Sequence, residues 1–227
     1  MSRHLIRTAF VVTFVALAAV AAAQAPAAPG APPAAIAPLR VPEGNGTPVV
    51  TDGIFTPGEW DDATAIAAGQ GIELRVKQVR GVVFIGVRGQ GTTSVGPSEL
   101  FLAAPGGPIQ VLHVSYQLGE IVLPSAGERP PFRFGLTSGW YANEFRRDME
   151  LSARLQKEGK PPIEVIRAAS YPSDGIEFAI RRAKLPGSTW LMRAAISALV
   201  GGTPSMVVYP AAAAETATTG WLELTLD

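Results

Sequence analysis

The sequence predicts an all-β chain: a single antiparallel β-sandwich with one short inserted helix, preceded by a signal peptide and a Pro/Ala-rich linker. Three observations carry this. Apolar and polar residues alternate with period two in several segments beyond residue 70, and Gly or Pro punctuates most junctions between them. One segment, Phe145 to Glu158, lacks both and repeats at helical spacing instead. Many short strands with a single helix among them suit two packed sheets better than a parallel α/β sheet.

The chain opens on an export signature. Arg3 and Arg7 supply a positive start, Ala9 to Val20 is mostly apolar and uncharged, and Ala21-Ala22-Ala23 offers small residues for cleavage. The apolar run falls short of the ~20 residues that span a bilayer, so residues 1–23 read as a signal peptide rather than an anchor. The expected localisation is periplasmic or extracellular, with no integral membrane segment left after cleavage. The chain has no Cys, which closes both the lipid-anchored route through a Cys and any disulfide framework.

Arg3 and Arg7 are two of nineteen basic residues, and none of the nineteen acidic ones lies in the leader, so the remainder carries a formal charge of −2. That argues against nucleic acid as a partner, which would call for a basic stripe. It gives no support to attachment on an anionic membrane surface.

Residues 24–48 form an Ala, Pro and Gly stretch expected to be a disordered, extended spacer, because it cannot bury enough surface to fold alone. Residues 49–227 are then the sandwich domain, about 180 residues and ample for one core. Ile72, Leu74 and Val76 alternate with Glu73, Arg75 and Lys77, as in a strand with one wet face. A turn at Arg80-Gly81 leads to Val82–Val87, apolar on both sides and suited to a central strand. Glu99 to Ala103 and Gln110 to Tyr116 flank Pro105-Gly106-Gly107-Pro108 as a second hairpin. Phe145, Met149, Leu151 and Leu155 share a helical face that Gly159 and Pro161-Pro162 would end. Ile176, Phe178 and Ile180 alternate with Glu177, Ala179 and Arg181, and Leu222, Leu224 and Leu226 with Glu223 and Thr225.

Three stretches carry a family resemblance. Thr51-Asp52-Gly53 through Glu59-Trp60 to Ala63, with the later Asp174-Gly175-Ile176-Glu177-Phe178-Ala179-Ile180 and the closing Trp221 to Leu226, resembles the family 9 carbohydrate-binding-module-like domains of the DOMON-like group. The resemblance implies a β-sandwich and a non-catalytic binding role. Trp60 is open to two readings, a sugar-stacking platform or an anchor that buries its large apolar area.

Candidate site residues follow from side-chain chemistry. Sugar sites pair an aromatic face with a few amide or carboxylate groups, and Trp140, Tyr141, Asn143 and Glu144 bring both kinds together. The structural alternative has Trp140 and Tyr141 packing the helix onto the sheet and Asn143 capping it. No cofactor is expected. Asp61-Asp62, Asp148 and Asp174 keep calcium possible, although no D-x-D-x-D-G loop spacing occurs. The resemblance also implies haem as an alternative, since other DOMON-like domains are b-type cytochromes. His113, the only His after the leader, and Met149, Met192 and Met206 are the axial candidates.

No catalytic motif is present: no G-x-S-x-G, no H-E-x-x-H and no phosphate loop ending in G-K-[ST]. The expectation is a secreted non-catalytic module for carbohydrate or a cell-envelope component. The alternatives are an electron-transfer haem domain and a plain protein-interaction module.

Overall fold

A computed structural model describes residues 36–124, 127–135, 137–143, 149–160 and 174–227. The expected signal peptide therefore lies outside the described residues, as do Glu144 and Asp148.

Local chemistry sets the hairpins. β2 (Thr64–Gly69), β3 (Ile72–Val79) and β4 (Val82–Gly89) follow one another as antiparallel neighbours. Arg80 and Gly81 join β3 to β4 with φ of 50° and 74°, the two-residue geometry that matches strand twist. β10 (Gly175–Arg181) pairs with the far edge of β4, and β9 (Trp140–Ala142) closes this five-stranded sheet beyond β10.

The second sheet has eight strands among the described residues. β5 (Thr93–Ala103) and β6 (Gln110–Val114) form the expected second hairpin, and β7 (Leu118–Val122) and β8 (Arg133–Phe134) extend it outward. On the other side β5 pairs with β11 (Thr189–Val200), whose far edge serves β13 (Leu222–Leu226) and then β12 (Thr203–Tyr209). The edge strand β1 (Leu39–Val41) pairs parallel with β13, an exception to the antiparallel rule. It also moves the start of the fold into the stretch expected to be a spacer. Val41 is fully buried, and Pro38 and Pro42 bracket a strand short enough to sit at an edge.

The two sheets face each other across one core, in which Leu74, Ile85, Leu102, Phe178, Trp190 and Leu224 are buried. The fold is an all-β sandwich. The inserted helix is present as α1 (Met149–Lys157), between β9 and β10 in the chain. Gly159, with φ of 67°, ends it, as Lys160 N–H donates to the Leu155 carbonyl and Gly159 N–H to that of Gln156. Among the described residues no helix is long and apolar enough to cross a membrane.

Both outer faces are partly roofed. Residues 49–63 cover the five-stranded sheet with Val49, Phe55 and Trp60, packed on Val79 and Phe84. On the eight-stranded sheet, Trp221 and Phe132 pack over Phe101, Val111 and Ile121. These roofs explain why β4 is apolar on both sides: Val83, Ile85 and Val87 enter the core, while Phe84 faces the roof.

One tight approach makes a prediction. A Cβ on Gly175 would lie 1.9 Å from the Val87 carbonyl oxygen, which belongs to the paired backbone and cannot swing away. Gly175→Ala is therefore expected to lower the unfolding free energy by roughly 3 kcal/mol, as overpacking does in a dense core. Urea denaturation checks this; a loss below about 1 kcal/mol would show that β10 shifts freely.

Candidate binding site

Two of the motifs of the resemblance, about 120 residues apart, bind one another. Glu177 points to the outer face of β10, opposite Gly86, and is fully buried beneath residues 52–60. Its Oε2 accepts hydrogen bonds from the Gly53 N–H (2.8 Å) and the Asp52 N–H (3.1 Å), and its Oε1 from the Trp60 indole N–H (2.8 Å). Asp174 accepts from the Phe55 N–H (3.2 Å), and the Asp174 and Gly175 N–H groups donate to the Gly53 carbonyl. Trp60 stacks on Phe55 with ring centroids 5.3 Å apart, and both rings lie over Gly86, where a Cβ would come within 3.0 Å of them. At 2 % exposure Trp60 is an anchor, and no sugar can stack on it.

Two positions expected on a wet face are thus interior. Glu177 is one; burial pushes its carboxyl up to about 7, against the three N–H bonds that favour its charge. Lys77 is the other, 1 % exposed, with Nζ donating to the carbonyls of Thr47 (3.0 Å) and Glu59 (2.8 Å) and to Asp62 Oδ1 (2.5 Å). Desolvation pushes the Asp62 carboxyl up, but hydrogen bonds from Lys77 and the Asn45 N–H outweigh it and hold the group low. The alternation correctly assigned these side chains to the outer face. It could not show that a distant segment covers that face.

The expected sugar cluster does not assemble as a unit. Neighbours on a strand point to opposite faces, so Trp140 and Tyr141 part company on β9. Trp140, 5 % exposed, packs on Phe178 and donates its indole N–H to Glu120 Oε2 at 2.7 Å. Asn143, also 5 % exposed, turns to β10: its side-chain amide donates to the Gly175 carbonyl (3.1 Å) and accepts from the Glu177 N–H (2.7 Å), and the residues it was expected to cap lie outside the described ones. Tyr141 alone of the three is exposed, and Glu144 lies outside the described residues.

Tyr141 lines an open cleft of about 470 Å³ on the outer face of the five-stranded sheet, with Val82, Thr137, Gly139, Trp140, Ala179 and Arg181; the Trp140 ring itself is buried. Register explains the company. Tyr141 lies opposite Ala179 on β10, and Arg181, two residues on, shares that face and lies opposite Val82. An exposed aromatic ring, a hydroxyl and a guanidinium around a floor of small side chains can stack on a sugar's C–H surface and hydrogen-bond its hydroxyls. Sequence reasoning missed Thr137 and Arg181 as site residues. Arg181 stood on the polar side of its strand, but only the pairing of β9 with β10 brings it to Tyr141.

The haem candidates do not converge. His113 lies opposite Glu99 on the outer face of the eight-stranded sheet and packs on Phe132, whereas Met192, opposite Leu102, is buried in the core on the inner face. Met206 is 58 % exposed on β12, three strand spacings from β6, or about 14 Å. The Met149 side chain lies outside the described ones. Met206 instead lines an apolar groove with Val95, Pro97, Leu199 and Pro204. Of the calcium candidates, Asp62 is paired with Lys77 and Asp174 with the Phe55 N–H, and no group of three or more acidic or His side chains gathers among the described residues.

Comparison with known proteins gives little company. No protein-family model matches the chain, and no curated protein does. Among solved structures, a "putative carbohydrate-binding protein" from Bacteroides uniformis aligns at a TM-score of 0.43 and 8 % identity, over 84 % of this chain and 97 % of that one. The functional reading rests on the cleft.

Proposed function

We propose that this chain is an exported, non-catalytic glycan-binding module of the family 9 carbohydrate-binding-module-like type, and that its ligand, a carbohydrate or glycan-bearing envelope component, lies against Tyr141. One observation carries the reading. A 42 % exposed tyrosine lines a cleft beside a guanidinium and a threonine, on a sheet whose other aromatic side chains near this edge are buried. Two tryptophans of this sheet and its roof, Trp60 and Trp140, already donate their indole N–H groups to Glu177 and Glu120. They serve the fold and leave Tyr141 for the ligand.

The test is a glycan panel followed by calorimetry on the purified protein. Tyr141→Ala is expected to weaken binding about tenfold or more, in line with about 1.5 kcal/mol for one stacked ring, with the thermal midpoint unchanged. Trp140→Ala is expected instead to lower the midpoint, because it empties a core position. Equal affinity of wild type and Tyr141→Ala, or no glycan bound at all, would refute the proposal.

A further inference from the structure

We infer that the glycan taken by the Tyr141 cleft carries carboxylates, as uronic-acid polymers do; this rests on the glycan-binding reading above. The cleft is lined by one charged side chain, Arg181, and by no acidic one among the described residues. Arg181 is exposed, and its guanidinium makes no hydrogen bond or ion pair among the described residues. Its fork of N–H donors matches a carboxylate in two parallel bonds.

The surroundings keep that guanidinium available. Gly139, beside the cleft, has no side chain to set against Arg181; a Cβ there would point toward the Cβ atoms of Lys184 and Arg181, 3.9 and 4.0 Å away. The nearby carboxylate, Glu120, is already occupied: its Oε2 accepts from the Trp140 indole (2.7 Å), from Lys184 Nζ (3.0 Å) and from the Ser138 N–H (3.3 Å). Lys184 pairs with Glu120 and so neutralises that carboxylate. Arg182 turns its Nη1 to the Gly187 carbonyl. The positive charge left over at the cleft is that of Arg181, set next to a ring that can carry the sugar face. A neutral sugar would use the ring and leave the charge without a counterpart.

The experiment compares uronate oligosaccharides, oligogalacturonate and oligomannuronate, each with its own methyl ester, which keeps the ring and removes the charge. The purified protein is expected to bind at least one free acid about tenfold or more tightly than its ester. That preference should shrink as salt rises from about 50 to about 500 mM, since the site is exposed. Arg181→Gln is expected to bring acid and ester to equal affinity, and Tyr141→Ala to weaken both. Equal binding of acid and ester by wild type, a preference that survives Arg181→Gln, or binding of neutral glycans only would overturn the inference and leave the glycan-binding reading standing. If neither these sugars nor any neutral glycan binds, that reading fails as well.

Discussion

Glu177→Ala is expected to lower the unfolding free energy by about 4 kcal/mol near pH 5, the largest effect of any single side chain on the outer face of the five-stranded sheet. The carboxyl receives the Asp52 and Gly53 N–H groups and the Trp60 indole N–H, all within 3.1 Å. Removing it strands three donors beneath residues 52–60, and a buried donor without a partner costs about 1–3 kcal/mol. The Asp52 N–H can find water, so the total falls below three full penalties. Loss of the carboxyl also loosens the Phe55–Trp60 stack that roofs Gly86. Urea denaturation measures the change, and amide exchange at Gly53 locates it. A loss under about 1 kcal/mol would mean that apolar packing alone holds the segment. Glu73→Ala on the same face is the comparison: Glu73 pairs with Arg75 at a partly exposed position, and its loss is expected to stay below about 1 kcal/mol.

The same carboxyl should make the protein less stable as pH rises, opposite to the common behaviour of paired carboxylates. Burial holds Glu177 at about 7 in the folded chain, against an ordinary value of 4.5. Between those values the folded chain binds more protons than the unfolded one. Stability is then fully present below 4.5 and is lost as pH climbs through 7. A shift of that size corresponds to about 3 kcal/mol lost by pH 8.

Other carboxyls do not mask this window. Asp62 is held low, as is Glu99, where desolvation pushes up but bonds from His113 and Arg129 win. Both carboxyls are charged in either state above pH 5, and their stabilisation is lost only in more acidic solution. Glu177→Gln isolates the effect. It is expected to flatten the profile between about pH 4.5 and 8 while lowering stability throughout, because the amide N–H₂ meets the Trp60 indole N–H donor to donor. Parallel profiles for wild type and Glu177→Gln would show that Glu177 ionises in the folded chain as freely as in the unfolded one.

These results would recast what the recognisable motif is for. Asp52-Gly53 and Trp60 supply the donors, Glu177 the acceptor, and Gly175 the close approach that lets β10 lie under them. Two short stretches that look like a binding signature are the two halves of one fastening. The residue with the best claim to a ligand, Tyr141, belongs to neither stretch.

Much of the architecture was legible beforehand because it depends on local rules. Period-two alternation exposed β3, β10 and β13, turn chemistry marked Arg80-Gly81, and a gap in Pro and Gly marked the helix. Leu39–Val41 was not legible, since three residues between prolines carry too little pattern to be told from spacer. Their pairing with β13 depends on the far end of the chain. The candidate site was half legible. Tyr141 and its neighbours stood out by composition, but strand alternation sends Trp140 inward, and Asn143 turns to the β10 backbone.

What the sequence by itself determined is a core set of strands, β3, β4, β6, β10 and β13 with the end of β5, the turn at Arg80-Gly81, and the face each of their side chains occupies, because backbone geometry repeats every two residues wherever a strand forms. Which of those faces meets water was decided by the tertiary structure alone. Residues 49–63 fold back over the outer face, so Lys77 and Glu177 are sealed while Arg181, on that same face of β10, remains open beside Tyr141. Alternation reports direction, and burial depends on what a distant segment lays across it.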